Sequence, residues 1–185
     1  CNPYREWIGA QIRADVWGYI NPGNPILAAE FAYRDAIVSH VKNGIYCTMF
    51  NAALISLAFV KNNMEEIIVE AQQVVPQRSR TAEAISDCLS WYKTCDTFSQ
   101  ALDKMYEKYG HYSFVHAINN LCICLLALLY SNMDFEKCIT DAVAAGMDTD
   151  CNGATVGSVL GAMLGKNGIP EKWAAPLHDT YHTMV

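Results

Sequence analysis

Apolar positions recur at helical spacing along most of the chain, and no segment alternates apolar and polar residues as a half-buried strand would. Asn-Pro pairs, typical of a helix cap followed by the first helical residue, stand at Asn2-Pro3 and Asn24-Pro25. The pattern therefore predicts an all-α fold: a compact orthogonal multi-helix bundle that forms a single domain over residues 1–185.

Turn signals set the limits of the predicted helices. We expect helices over residues 3–17, 25–40, 45–60, 64–74, 80–93, 97–110, 115–130 and 135–146, and another that begins near residue 152. Ser79, Asp96 and Asp134 are the predicted caps of three of them. The helices at 45–60 and 115–130 are apolar on nearly every side, which places them at the centre of the bundle.

Composition and charge exclude several classes of protein. The chain has 52% hydrophobic residues, too many for a disordered protein, and its net charge of −6 argues against a nucleic-acid partner. Its longest strongly apolar stretch, residues 121–130, is far short of the ~20 residues that a membrane helix needs. We therefore expect neither nucleic acid nor membrane among its partners.

The cysteines indicate a reducing compartment. Eight cysteines are present but no Cys-Xaa-Xaa-Cys motif, so reduced and mostly buried thiols in a cytoplasmic protein are expected. The first residue is Cys1 and not Met, which predicts a processed chain or a piece of a longer one. A free N-terminal cysteine can also act as a nucleophile, but we associate that chemistry with layered sheets, and no strand pattern is visible.

Two carboxylates, Asp148 and Asp150, stand two residues apart in a predicted loop. Because Mg²⁺ and Ca²⁺ prefer oxygen ligands and aspartate is short, the pair could converge on one hard cation. In the alternative interpretation Asp150 or Asn152 only caps the next helix and Asp148 is solvated. The residues themselves leave both interpretations open.

Glycines recur every four residues in the helix after this loop, at Gly153, Gly157, Gly161 and Gly165. Each internal glycine costs about 1 kcal/mol of helix stability relative to alanine, so close approach of another helix is expected to offset the loss. A loop rooted on such a buried helix could hold both carboxylates in a fixed geometry.

Further polar side chains stand where an otherwise apolar helix begins. His116, Asn119 and Asn120 share one helix face, so they bind either backbone or a ligand, because buried polar groups need partners. His40 stands near the end of the second predicted helix, where a favourable interaction with the helix dipole is the simpler alternative to a role in binding.

Together these segments resemble the ADP-ribosylglycohydrolase family. Residues 146–155, Gly-Met-Asp-Thr-Asp-Cys-Asn-Gly-Ala-Thr, are similar to its Gly-Gly-Asp-Thr-Asp-Thr signature, and residues 167–173 to the segment after the signature helix. Residues 36–46, which include Ser39-His40 and Gly44-Ile45, resemble its Thr/Ser-His-Xaa-Xaa-Xaa-Gly-Ile segment, and residues 115–120 are similar as well. The resemblance spans nearly the whole chain.

The resemblance implies an all-α hydrolase that uses two magnesium ions, with manganese as an alternative, to cleave the glycosidic bond of ADP-ribose on a protein side chain or small molecule. It implies catalytic and metal-ligating roles for Asp148 and Asp150. Cys151 takes a third metal position, where the family supplies a hydroxyl, although a neutral thiol suits a hard cation poorly. The substrate side is expected to include His40, His116, Asn119 and Asn152.

Two departures from the family pattern concern the extent of the chain. It lacks the Thr-Asp-Asp element that completes the family's metal site, and it stops at Val185 where a further segment is expected. We therefore expect a fragment of a longer enzyme, inactive alone, with the missing N-terminal half as a partner. The alternatives are a non-catalytic member with a binding or structural role, or a hydrolase of another ribosylated nucleoside. No residue identifies the leaving group.

Overall fold

The structure is a computed structural model that describes residues 2–180 and residue 182, so Cys1 lies outside it. The described residues form α-helices and short 3₁₀ segments without a β-strand. One isolated antiparallel bridge pairs Trp7 with His116. The predicted all-α fold is confirmed.

Ten α-helices follow one another in the described part of the chain. They are α1 (Asp15–Tyr19), α2 (Pro25–Ala36), α3 (Asn43–Ala58), α4 (Met64–Ala71), α5 (Arg80–Thr94), α6 (Phe98–Tyr109), α7 (Ala117–Tyr130), α8 (Phe135–Ala144), α9 (Thr149–Gly168) and α10 (Glu171–Ala174). The 3₁₀ segments are Ile8–Arg13, Gln72–Val74 and Ala175–Leu177. Among these described helices, none has both the length and the hydropathy needed to cross a bilayer.

Helices α3 and α7 form the centre of the bundle. Every residue of α7 except Tyr130 is buried, and every residue of α3 except Tyr46 and Met49. Other helices pack around this pair, α1 and α2 against α3, and α5, α6, α8 and α9 against α7. The two helices predicted to be central are therefore the central ones, because only a helix with neighbours on all sides can bury so much apolar surface.

Three of the predicted helix caps are confirmed by their hydrogen bonds. Side-chain oxygens accept hydrogen bonds from the first turns of α2, α5 and α8, and the capping residues are Asn24, Ser79 and Asp134. The predicted cap at Asp96 is wrong, because Thr97 caps α6 by accepting from the Gln100 N–H at 3.3 Å. The Gln100 side chain in turn accepts from the Asp96 N–H at 2.9 Å, which resembles a capping box shifted by one residue.

The single helix predicted over residues 3–17 is wrong. Turns come first, then the 3₁₀ segment Ile8–Arg13, and α1 starts only at Asp15. The backbone of residues 5–8, which we call the N-terminal segment, is bonded to other parts of the chain. The Ile8 N–H donates to a carbonyl in the turn before α7 at 2.8 Å, and the Arg5 carbonyl accepts from the turn before α3 at 2.9 Å. These tertiary bonds replace the helical ones.

The glycine row of α9 faces α8, as far as Gly161. A Cβ atom built on Gly153 would lie 3.1 Å from the Val143 side chain, but one on Gly157 would lie 3.7 Å from Ile139, which is ordinary contact. The predicted close approach of a neighbouring helix is therefore wrong at Gly157, where a methyl group fits. Gly165 has a φ of 64°, a conformation that favours glycine, and it kinks the end of α9.

A partly buried polar cluster joins α9 to α1 and α3. Ser158 donates a hydrogen bond to the Asp15 carboxylate, which also accepts from Asn51 Nδ2 at 3.1 Å. The Tyr19 hydroxyl donates to Ser158 Oγ at 2.7 Å, and fully buried Gln11 lies beside Asn51, with its two side-chain amide atoms unpartnered among the described residues. Burial raises the pKa of Asp15 above its ordinary value of 3.8, against the lowering effect of the bonds from Ser158 and Asn51.

Asp15→Asn is expected to change how stability depends on pH. Because the pKa of Asp15 is raised in the folded chain, its contribution to stability is fully present below its ordinary pKa of 3.8 and is lost as pH rises through the folded pKa. The unfolding free energy of the wild type relative to Asp15→Asn should therefore fall as pH rises above 3.8. Urea unfolding at several pH values measures this difference, with Asp103→Asn on the exposed face of α6 as the control. A difference that grows with pH would contradict the prediction.

Candidate metal centre

The loop after α8 and the first turn of α9, which together we call the metal loop (residues 145–151), bring Asp148, Asp150 and Cys151 together. One possible ligand atom from each residue lies within 4.8 Å of the others. Asp148 and Cys151 are half-buried, and Asp150 is exposed. Within residues 2–180 and 182, no other group of three or more His, Cys, Asp or Glu side chains is close enough to hold a metal ion.

The backbone of this loop turns sharply before the first carboxylate. Gly146 has a φ of 85° and Met147 a φ of 60°, so two successive residues occupy the left-handed region, where glycine is favoured. The Tyr106 hydroxyl of α6 donates to the Ala145 carbonyl at 2.6 Å. The loop is therefore fixed to α6 at its start, just before Asp148.

The interpretation of Asp150 or Asn152 as the cap of the following helix is wrong. Helix α9 begins at Thr149, so Asp148 is the residue before its first turn and Asp150 lies within that turn. The Asp148 side chain makes no capping hydrogen bond, and the Asn152 amide bonds to Asn120 on α7 instead. Neither carboxylate caps the start of α9 with a side-chain hydrogen bond. The partial positive charge there stabilises the carboxylates but disfavours a cation.

Cys151 is the weakest part of the donor set. Burial, a hydrogen bond to Asp148 and the charges of Asp148 and Asp150 raise the pKa of the thiol to about 12. The thiol is therefore neutral near pH 7 in the metal-free chain. The two carboxylates fit a hard divalent cation such as Mg²⁺ or Mn²⁺, whereas the neutral thiol does not.

Asn120 lies beneath the loop and was not among the predicted site residues. Its Oδ1 accepts hydrogen bonds from the Asp148 N–H at 3.0 Å and from Asn152 Nδ2 at 2.9 Å. Asn152 is fully buried, and its Oδ1 accepts from the Cys124 thiol at 3.5 Å. The structure therefore places Asn152 beside the metal loop, facing inward. The one sequence signal for Asn120 is its place on the polar face at the start of a buried helix.

Two other predicted site residues stand at the start of α7. His116 is its N-cap: Nδ1 accepts from the Ile118 N–H at 3.1 Å, so in the neutral ring the proton is on Nε2. The ring stacks on Tyr112 at 4.3 Å between centroids, and burial lowers the pKa of His116. Asn119 is fully buried and donates to the Ser113 carbonyl at 3.0 Å and to Met147 Sδ at 3.5 Å. Substrate binding by His116 and Asn119 stays a prediction.

His40 is buried in the turn between α2 and α3. Its ring lies between two glycines, since a Cβ on Gly9 would be 3.6 Å from Nε2 and one on Gly44 would be 3.0 Å from Cδ2. Nδ1 shares a hydrogen bond with Ser39 Oγ at 2.8 Å, and burial and then the Arg13 charge lower the pKa of His40. A role for this ring in substrate binding stays a prediction.

The N-terminal segment connects the His40 turn to the start of α7. The Val41 N–H donates to the Arg5 carbonyl at 2.9 Å, and the Ala117 N–H donates to the Glu6 carbonyl at 3.0 Å. His40 and His116 are thus joined through one short strip of backbone, while α7 joins His116 to the metal loop.

A charged network beside the N-terminal segment was not predicted from the sequence. The Glu6 carboxylate accepts from Asn43 Nδ2 at 2.6 Å and from Arg80 Nη2 at 3.1 Å. Arg80 Nη1 also donates to the Tyr112 hydroxyl at 3.0 Å. These residues come from separate segments, and no spacing in the sequence indicates that they meet.

Comparison with protein families gives one match over nearly the entire chain. A family model described as ADP-ribosylglycohydrolase matches residues 2–185. Comparison with curated proteins and with solved structures gave no match.

Proposed function

Because the chain belongs to the ADP-ribosylglycohydrolase family, we propose that it supplies part of the active site of a hydrolase that cleaves the glycosidic bond of ADP-ribose conjugates. The observation that carries this proposal is the convergence of Asp148, Asp150 and Cys151 within 4.8 Å at the start of α9. Family membership supports glycohydrolase chemistry. The substrate would be an ADP-ribosylated protein or small molecule. Both classes stay open because no residue identifies the leaving group.

Asp148 and Asp150 would hold divalent metal, magnesium or manganese. When bound, such ions supply positive charge that orients the ribose hydroxyls and stabilises charge that develops during bond cleavage. The carboxylate of Asp150 is the more exposed of the two and would accept the proton of the attacking water. The water oxygen would form a bond to the anomeric carbon as the bond to the leaving group breaks, and the leaving group would take the electron pair of that bond and a proton from solvent.

The histidines would act on the substrate side as neutral hydrogen-bonding groups. Burial lowers the pKa of both His40 and His116, so both rings are predominantly neutral near pH 7. In that form His116 has a free Nε2–H that could donate to an oxygen of ADP-ribose.

A non-catalytic member of the family is the second candidate. The soft sulfur of Cys151, where the family signature has a hydroxyl, favours it. A hydrolase of another ribosylated nucleoside is the third. For all three we propose a cytoplasmic location, supported by the free thiols found at the cysteines that the structure describes.

The 185-residue chain is expected to release no ADP-ribose from ADP-ribosyl-arginine or ADP-ribosyl-serine peptides in millimolar magnesium. The reason is that one acidic cluster among the described residues offers too few ligands for two ions. A longer polypeptide that carries an upstream Thr-Asp-Asp element is expected to release ADP-ribose, and its Asp148→Asn variant should not. Binding of ADP-ribose without turnover by the longer polypeptide would favour the non-catalytic candidate, and turnover by the 185-residue chain would contradict the expected second acidic element.

A further inference from the structure

We infer that Asn120 is a positioning residue, which fixes the metal loop against the turn that carries His116. The inference rests on the proposed function, since it assigns Asn120 to the same site. Asn120 touches neither a metal nor a substrate in this assignment. It acts through the backbone of Asp148 and the side chain of Asn152.

The Asn120 carboxamide uses its full hydrogen-bonding capacity. On one side Oδ1 accepts from the Asp148 N–H at 3.0 Å and from Asn152 Nδ2 at 2.9 Å. On the other side Nδ2 donates to the Phe114 and His116 carbonyls, each at 2.8 Å. One fully buried side chain therefore bonds both to the metal loop and to the turn before α7.

The bond to Asp148 has a specific structural role. The N–H groups at the start of a helix have no acceptor within that helix, and Asp148 immediately precedes α9. Asn120 supplies the missing acceptor from a neighbouring helix. The bond therefore fixes the position of the Asp148 backbone relative to the first turn of α9. It thereby fixes the distance from the Asp148 carboxylate to Asp150 and Cys151.

No other residue type offers two acceptor and two donor sites on a side chain of the same length as asparagine. Aspartate would keep the two acceptors but place an oxygen against the Phe114 and His116 carbonyls. Leucine would leave two donors and two acceptors unpaired, and glutamine is one methylene longer. Neighbouring Asn119 does not duplicate the role, because its amide bonds to the Ser113 carbonyl and only reaches the loop through Met147 Sδ.

The test compares Asn120→Ala with Asn51→Ala in the 185-residue chain. Both asparagines are fully buried on central helices, and the Asn51 side chain bonds to Asp15 and Gln11, not to the metal loop. Both variants should lower the melting temperature. Mn²⁺ alone is the probe, and paramagnetic broadening of backbone amide signals at residues 148–151 reports its binding.

Asn120→Ala is expected to need about tenfold to hundredfold more Mn²⁺ than the wild type for the same broadening, as for other residues that orient metal ligands. Asn51→Ala should need the same concentration as the wild type. Equal Mn²⁺ dependence in Asn120→Ala and the wild type, or equal weakening in both variants, would overturn the inference.

Hydrogen exchange of the Asp148 amide in the wild type provides a second readout that needs neither a variant nor metal. The bond to Asn120 Oδ1 predicts slow exchange of this amide. Exchange as fast as that of an unprotected amide would refute the positioning role even if Asn120→Ala fails to fold. A protected amide in a wild-type chain that shows no broadening at residues 148–151 would refute the metal function and leave the positioning of the loop intact.

Discussion

Loss of divalent metal binding is the expected result of replacing Asp148 and Asp150 together by alanine. These carboxylates are the hard oxygen donors of the cluster, and Cys151 carries a neutral thiol. The wild-type chain should bind Mn²⁺ or Mg²⁺ only weakly, because most of a six-ligand shell is left to water and the start of α9 disfavours a cation. The double variant should bind at least about a hundredfold more weakly, below detection in a calorimetric titration.

The control for this experiment removes the same charge from elsewhere on the surface. Asp96 and Asp103 are both exposed on or beside α6, and their double alanine variant changes the net charge by the same amount. It should bind metal as the wild type does. Tight binding that survives the loss of Asp148 and Asp150 would place the metal elsewhere and remove the main support for the proposed site.

A severe loss of stability is expected from Gly18→Ala. Gly18 lies in α1 where that helix crosses α3, and a Cβ atom there would be 2.6 Å from the Ile55 Cβ and 2.9 Å from the Ala52 carbonyl oxygen. Neither atom belongs to the end of a flexible side chain, so one helix has to move. Overpacking of this kind costs about 2–3 kcal/mol, which corresponds to a decrease in melting temperature of about 5–10 °C for a chain of this size.

Gly157→Ala is the matched control, because it adds the same methyl group to a helix where space is available. The new Cβ would lie 3.7 Å from Ile139. Alanine is the better helix former by about 1 kcal/mol, so this variant should melt at or above the wild-type temperature. Thermal melting of both variants by circular dichroism measures the contrast. Equal melting temperatures would show that the crossing of α1 and α3 is not tightly packed.

Local signals predicted the parts of the fold that local interactions determine. The caps at Asn24, Ser79 and Asp134 and the two central helices could be predicted, because capping and burial depend on a few neighbouring residues or on the spacing of apolar ones. Local sequence signals could not reveal that the helix predicted over residues 3–17 is wrong. Its backbone groups bond to turns far along the chain, and tertiary contacts of this kind override helix propensity.

The candidate site also has one part that the sequence could predict and one that it could not. The proximity of Asp148, Asp150 and Cys151 could be predicted because these residues are close in sequence and stand at the start of one helix, and metal binding there stays a prediction. The role of Asn120 could not, since its partners lie both six residues before it and about thirty residues after it. A polar residue at the start of a buried helix predicts that a partner exists, and only the packing of the helices decides which one.

The N-terminal segment is expected to join the two histidine-bearing turns later in folding than the central helices form. It bonds to the turn before α3 across about 36 residues of chain and to the start of α7 across about 110. Because loop-closure entropy opposes contacts between such distant residues, we expect α3 and α7 to form before the His40 and His116 sides are joined. Detachment of the N-terminal segment would break these backbone bonds and expose Ile8 while α3 stays packed against α7, so residues 5–8 are expected to show faster amide exchange than α7.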